Sequence, residues 1–208
     1  MIRNLKIWQK LLLAGALAVI PVVMLSLLFL QSRNEQIART QAELSGLEYV
    51  SPMRRLIESL PQHRPDASAF LSGDARSGPA LEDASAKVDA AIDEVAAIER
   101  RKGRELGTTA AWDSIRVRWE DLKLRTRSLS AEESNSRHTL LITDALAHLR
   151  RIGALTGLAA DPGLDANYLA GALLDRLPWA AEYLGQIAAH GASAAARRSV
   201  GAEDSAPL

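Results

Sequence analysis

The sequence contains no cysteine, and only 4% of its residues are aromatic. Without cysteine the chain has no disulfide, no thiolate metal site, no cysteine nucleophile and no thiol redox chemistry. Alanine and leucine are abundant, which favours a helical bundle over a sheet, because sheets are enriched in aromatic and β-branched residues. The sequence therefore predicts an all-α fold.

Neither the charge nor the motifs indicate catalysis or nucleic-acid binding. The 25 basic and 25 acidic residues cancel, so no overall field attracts a polyanion. The chain also lacks a phosphate-binding loop, a dinucleotide-binding glycine pattern, an HExxH motif and a nucleophile elbow. We expect no enzymatic activity, no cofactor and no nucleic-acid partner.

One long apolar segment, Leu11–Leu30, carries no charge. As a helix rising about 1.5 Å per residue it spans about 30 Å, the thickness of a bilayer's hydrocarbon core. It is longer than the apolar core of a signal peptide and has no small-residue cleavage site, so we predict a retained anchor kinked at Pro21. Basic residues without acids precede it, which places the N-terminus in the cytoplasm and everything after Ser32 outside.

These patterns divide the chain into four predicted parts. Residues 1–10 are a basic cytoplasmic N-terminus, 11–30 a transmembrane helix, 33–190 a periplasmic helical bundle and 191–208 a weakly ordered tail. Heptad-like apolar spacing from Ile37 to Leu47 continues the anchor into the bundle and predicts a homodimer.

About four to five long helices are predicted, packed as an antiparallel bundle. We expect the first to be kinked or restarted at Ser51-Pro52 and to end in a connection rich in proline and glycine. Later boundaries follow from glycine, cap and proline signals. These signals are Pro61, Pro65 and residues 72–79 after the first helix, Gly103 and Gly107 after the second, a start near Trp112 for the third, the capping box from Ser130 to Glu133 for the fourth, and Asp161-Pro162 before a last helix kinked at Pro178.

Four stretches carry a resemblance to a known family. They are NLKIWQKLLL near the start, ELSGLEYVSPMRRLIESLPQHR from Glu43, SNSRHTLLITDALAHL from Ser134 and LTGLAADPGLDANYLAGALLDRLPWAAEYLGQI from Leu155. The chain resembles the N-terminal half of methyl-accepting chemotaxis proteins that have a helical-bundle periplasmic ligand-binding domain. The resemblance implies a single-pass protein of the bacterial inner membrane, whose periplasmic sensor domain binds a small extracytoplasmic ligand.

The same resemblance implies parts that do not follow here. In that family a second membrane span, a HAMP linker and a methylated signalling hairpin come next, so we expect a receptor truncated before its output module. Similar bundles also precede sensor histidine kinases and diguanylate cyclases. Those two receptor types, and a signal-anchored helical scaffold, remain alternatives.

The candidate ligand site consists of two His/Arg pairs. His63-Arg64 lies at the distal end of the first bundle helix, and Arg137-His138 lies near the start of the fourth. In an antiparallel bundle the pairs would meet and form a pocket for a carboxylate or nitrate-like anion, with arginine as the bidentate partner. Alternatively, His138 is a hydrogen-bonded core residue and both arginines extend to water.

A second polar cluster follows the predicted last turn. Asn167 and Tyr168, together with Asp161 and Asp165, would either bind a ligand amine or cap two helix starts.

Two further pairs have alternative explanations. Asp144 and His148, four residues apart, would ligate a metal or form an exposed helical pair. Trp112 and Trp119, seven apart, would line a pocket or pack in the core.

Overall fold

The computed structural model describes residues 6–158 and 164–187, and within these ranges the chain forms helices and no strand. The predicted all-α fold is confirmed. The turn at Asp161-Pro162 and the tail 191–208 lie outside the described residues. The helices are α1 (Ile7–Leu71), α2 (Gly78–Ile98), α3 (Arg104–Leu106), α4 (Thr109–Arg125), α5 (Ala131–Leu155), α6 (Leu164–Gly171) and α7 (177–187).

The chain divides into two units, Met1–Ala42 and Glu43–Leu208. The described part of the first unit contains the N-terminal part of α1, and its large apolar side chains, such as Leu17 and Leu25, are exposed. This is the one helix, among the described residues, that is long and apolar enough to cross a membrane. The predicted transmembrane segment 11–30 lies within it.

In α1, the helix continues through Pro52, Pro61 and Pro65 to Leu71, so the predicted restart and the predicted end at the later prolines are wrong. Each interior proline removes a backbone hydrogen bond, at a cost of about 3 kcal/mol. Burying a large apolar side chain contributes roughly 1.5–3 kcal/mol, so packing offsets much of this cost. The fully buried large apolar residues on this part of α1 are Tyr49, Met53, Leu56 and Leu60.

In the second unit, α1, α2, α4 and α5 form the predicted antiparallel bundle. Helices α1 and α2 run in opposite directions, because Arg55 pairs with Glu94 while His63 contacts Ser85. The part of α1 at the beginning of the second unit also lies against the end of α5. The approach is close, because a Cβ on Gly46 would be 2.3 Å from the Thr156 hydroxyl. The core these helices share includes Val88, Ile92, Val95, Ile115, Leu122, Leu141, Ile142, Leu146 and Ile152.

The capping box and Gly107 mark helix ends as predicted, whereas Gly103 does not. The Ser130 hydroxyl accepts from the Glu133 N–H, and the Glu133 carboxylate accepts from the Ser130 N–H, which forms the capping box of α5. Gly107 ends α3 with a φ of 66°, in the left-handed region that glycine adopts without strain. Gly103 ends no helix and instead lies in a π-helical turn, Glu99–Gly103, that continues α2 into α3.

The last described helices, α6 and α7, are joined by a second π-helical turn, Ala172–Arg176, located just before Pro178 where we predicted a kink. Pro178 has no N–H to donate, and the hydrogen-bond pattern of the helix changes just before it. In the π-helical turn the Leu177 N–H donates to the Ala172 carbonyl. Leu174 is buried and packs near Gly153 of α5. The other leucines and the isoleucine that defined this predicted helix are exposed: Leu169, Leu173, Leu177, Leu184 and Ile187.

Candidate functional site

His63 of α1 and His138 of α5 meet in the interior of the bundle. Their rings are 1% and 0% exposed, and His63 Nδ1 lies 2.7 Å from His138 Nε2. Both residues lie on continuous helices whose flanking apolar side chains are buried, so the helix packing determines their positions. The antiparallel arrangement of α1 and α5 thus brings together one histidine from each predicted His/Arg pair.

The hydrogen-bond partners of the two rings indicate where their protons lie. His138 Nδ1 is 2.7 Å from the Ser134 carbonyl, which only accepts, so Nδ1 carries the hydrogen and Nε2 of the neutral ring accepts. His63 Nδ1–H then donates to His138 Nε2, and His63 Nε2 lies 2.9 Å from the Ser85 hydroxyl, which is also 2.8 Å from the Leu81 carbonyl. Two neutral rings therefore form one continuous hydrogen-bond chain across α5, α1 and α2.

The surroundings of both histidines oppose a positive charge. Burial, followed by repulsion from His138, lowers the pKa of His63 to about 4. Burial also lowers the pKa of His138 to about 4, and the Arg64 guanidinium adds to this against the opposing effect of the Ser134 carbonyl. At neutral pH both imidazoles are uncharged.

Arg64, next to His63 on α1, is the cation of this site. It is 6% exposed, and its two terminal nitrogens lie 2.8 and 3.4 Å from the carboxylate oxygens of Glu182, which is 3% exposed on α7. One of these nitrogens is also 3.3 Å from the Thr139 hydroxyl of α5. We call His63, Arg64, His138 and Glu182 the arginine layer.

Arg137, the other predicted arginine, is directed elsewhere. Its partly exposed guanidinium forms an ion pair with Asp121 of α4, which also pairs with Arg125. The arginine layer thus contains one guanidinium from the predicted set and not two. The alternative in which both arginines extend to water does not describe Arg64, which is buried.

Asn167 and Tyr168, the remaining predicted ligand-binding residues, lie on α6. Tyr168 is 65% exposed. The side chains of Asn167 and Asp165, like the whole of Asp161, are outside the described part of the structure. The ligand role proposed for this cluster stays a prediction.

A second buried polar cluster is centred on Glu99, at the end of α2. One carboxylate oxygen of Glu99 is 3.1 Å from His148 Nε2, and the other accepts from the Thr108 hydroxyl at 3.1 Å. Gly103 leaves room for the carboxylate, because a Cβ there would lie 1.9 Å from Glu99 Oε2. Burial and the nearby Glu99 raise the pKa of Tyr49 to about 12. We call Tyr49, Glu99, Thr108 and His148 the glutamate layer.

This layer changes the interpretation of the pair Asp144 and His148. His148 is buried, so the two residues are not an exposed helical pair, and Asp144 lies 3.2 Å from Arg118 of α4. Across residues 6–158 and 164–187, no three His, Asp or Glu side chains are placed to hold a metal ion. Trp112 and Trp119 are buried in the core, as the packing explanation predicted.

Glu182, Ser85 and Thr139 were not among the residues predicted for the site. Glu182 had a recognisable signal, because no basic residue stands three or four positions away from it on its own helix. A carboxylate without a basic partner on its own helix is expected to pair with a cation on another helix. Ser85 and Thr139 carry no such signal, because isolated hydroxyls are common on helices.

Comparison with protein families gives one match. The family model described as nitrate and nitrite sensing matches residues 55–207, which include all four residues of the arginine layer. Domains of this family are extracytoplasmic sensor domains of signalling proteins. Comparisons with curated proteins and with solved structures find no match.

Proposed function

Because the chain belongs to the nitrate- and nitrite-sensing family, we propose that it is the input region of a transmembrane receptor and binds nitrate or nitrite at Arg64. The observation that carries this proposal is a buried guanidinium, in contact with Glu182 and Thr139, whose charge acts on the neutral imidazole of His138. A guanidinium fork binds planar oxyanions with two parallel hydrogen bonds, as it binds a carboxylate. Nitrate and nitrite both present two oxygens in one plane.

The charge of the arginine layer selects for a monovalent ligand. With both histidines neutral, Arg64 supplies a single positive charge. In place of the Glu182 carboxylate, one monovalent anion would neutralise Arg64, whereas sulfate would leave a net negative charge in a buried site, which is costly. Charge therefore favours nitrate or nitrite over sulfate.

We also propose a membrane location, an orientation, an output type and an oligomeric state for this domain. The apolar N-terminal helix and the membership of a sensor family support a membrane-anchored protein with the domain outside. The basic residues before Leu11 support a cytoplasmic N-terminus in the inner membrane. We propose a chemotaxis-type output, with a histidine kinase or diguanylate cyclase output as the alternative, and a homodimer supported by the exposed apolar residues Leu44 and Leu47.

Calorimetric titration tests the ligand. The full chain is purified in lipid nanodiscs and titrated with sodium nitrate, sodium nitrite and sodium sulfate. We expect nitrate or nitrite to bind and sulfate not to bind. In Arg64→Lys the charge stays but the bidentate fork is lost, so affinity should fall at least tenfold, about 1.4 kcal/mol.

Arg55→Lys is the matched control, since Arg55 is also on α1 and pairs with Glu94, but at an exposed site. Its affinity should equal that of the wild type. Absence of nitrate and nitrite binding to the wild type, or equal losses in the two variants, would contradict the proposal.

A further inference from the structure

The Arg64 guanidinium is already occupied by an anion that belongs to the chain. The carboxylate of Glu182 faces both terminal nitrogens, and the side chain of Gln186 donates to the same carboxylate at 2.9 Å. A carboxylate, like nitrate and nitrite, is planar, carries one negative charge and presents two oxygens to the fork. Glu182 thus holds the position that we assign to the ligand.

We propose that Glu182 is a tethered competitor: the ligand binds Arg64 by displacing the Glu182 carboxylate, and α7 moves away with it. This inference rests on the proposed function and adds a mechanism of regulation to it. The ligand class that fits is a planar monovalent oxyanion no larger than the carboxylate group it replaces.

Charge balance requires that the ligand replace the Glu182 carboxylate and not bind in addition to it. Arg64 and Glu182 form a neutral pair with both side chains almost fully buried. A nitrate ion that joined this pair would leave one uncompensated negative charge in a site that excludes water. Conversely, once nitrate holds Arg64, the Glu182 carboxylate has lost its cation and is favoured in water.

The packing of α7 allows this movement. The backbone passes close to the guanidinium, since a Cβ on Gly185 would lie 2.8 Å from Arg64 Nη2. Trp179 of α7 packs partly buried against the core, but Leu177 and Leu184 are both more than half exposed, so Trp179 is the main apolar contact that holds this helix. The π-helical turn Ala172–Arg176 precedes α7, and turns of this type frequently occur at functional sites.

Nitrate titration of Glu182→Gln in the full chain tests the competition. Glutamine keeps the shape of the side chain but removes the charge that competes for Arg64. We expect nitrate to bind at least tenfold more tightly than to the wild type. Glu94→Gln is the matched control, because it also removes a carboxylate paired with an α1 arginine and should leave the affinity unchanged.

A spin label tests the movement in a protein that keeps Glu182. The chain has no cysteine, so Leu184→Cys provides one labelling site on an exposed position of α7. Sodium nitrate at the wild-type Kd should increase the mobility of the label, and the same label combined with Arg64→Lys should show about a fifth of that change or less at the same concentration, because its affinity is lower. This experiment decides the question if Glu182→Gln does not fold.

The outcomes separate this inference from the proposed function. Nitrate binding that depends on Arg64, but is equal or weaker in Glu182→Gln, would overturn the competitor and leave the ligand site standing. A label on α7 that does not respond to saturating nitrate would overturn the movement. If neither the wild type nor Glu182→Gln binds nitrate or nitrite, the proposed function fails as well.

Discussion

The two buried polar layers differ in how they use the histidines of α5. In the arginine layer His138 is neutral, and Arg64 of the same layer forms an ion pair that joins α1 to α7. In the glutamate layer His148 contacts a carboxylate at the end of α2, within the four-helix bundle. The first layer ties a loosely packed helix to the bundle, and the second ties bundle helices to one another. The comparison indicates that exchange with a ligand is possible in the first layer and that the second is structural.

Breaking the ion pair of the arginine layer should have the largest effect. Arg64→Met leaves Glu182 buried without a cation, so we expect the free energy of unfolding to fall by about 3–5 kcal/mol. Urea denaturation monitored by circular dichroism measures it. Adding Glu182→Leu should restore most of the stability, because apolar residues replace a buried pair at little net cost. A double variant as unstable as the single one would contradict this.

Disturbing the glutamate layer should reduce stability without affecting ligand binding. In Gly103→Ala the new methyl group would collide with Glu99 and push its carboxylate from His148 and Thr108. We expect a loss of about 2–3 kcal/mol in the free energy of unfolding. Nitrate affinity measured below the unfolding transition should stay within twofold of the wild type. A large loss of affinity would show that the layers are not independent.

The pH dependence of stability should come largely from the histidine pair. Their pKa is about 4 in the folded protein, below the ordinary 6.5, so the unfolded chain binds more protons between these values. Stability is complete above pH 6.5 and falls as the pH drops towards 4. Between pH 7 and pH 5.5 we expect a loss of about 1 kcal/mol per histidine.

Urea denaturation across this pH range measures that loss. Replacing His63 by Gln should reduce the slope by about half. An unchanged slope would show that the histidine pair does not account for the pH dependence.

Removing the capping box should have the smallest effect. Ser130→Ala deletes the hydroxyl that accepts from the Glu133 N–H, at a cost of about 1 kcal/mol. Ser130 lies at the exposed start of α5, outside both layers, so nitrate affinity should not change. Thermal denaturation and one nitrate titration check both expectations. A change in affinity would show that α5 positions His138 through its first turn.

Much of the fold follows from short-range signals in the sequence. The capping box at Ser130 and the left-handed glycine at Gly107 are local features, and both mark helix ends in the structure. The continuation of α1 through Pro61 and Pro65 could not be predicted in this way. It depends on packing against helices far away in sequence, which outweighs the local cost of proline.

In the candidate site, too, some features could be predicted from the sequence and others depend on the packing of distant helices. An antiparallel bundle brings His63 and His138 together by simple register, so their proximity was predictable. The direction of a long side chain was not, because Arg64 and Arg137 have similar neighbours in sequence but pair with Glu182 and Asp121 on different helices. Partner choice over such separations is decided by the final packing of the helices.

The central claim is that Arg64 binds nitrate or nitrite. The most direct test compares calorimetric nitrate and nitrite titrations of the wild type and of the Arg64→Met, Glu182→Leu double variant, because the latter should keep the fold and lack the site. We predict saturable binding of at least one of the two anions to the wild type, and binding of neither to the folded double variant. Equal binding to both proteins would contradict the claim.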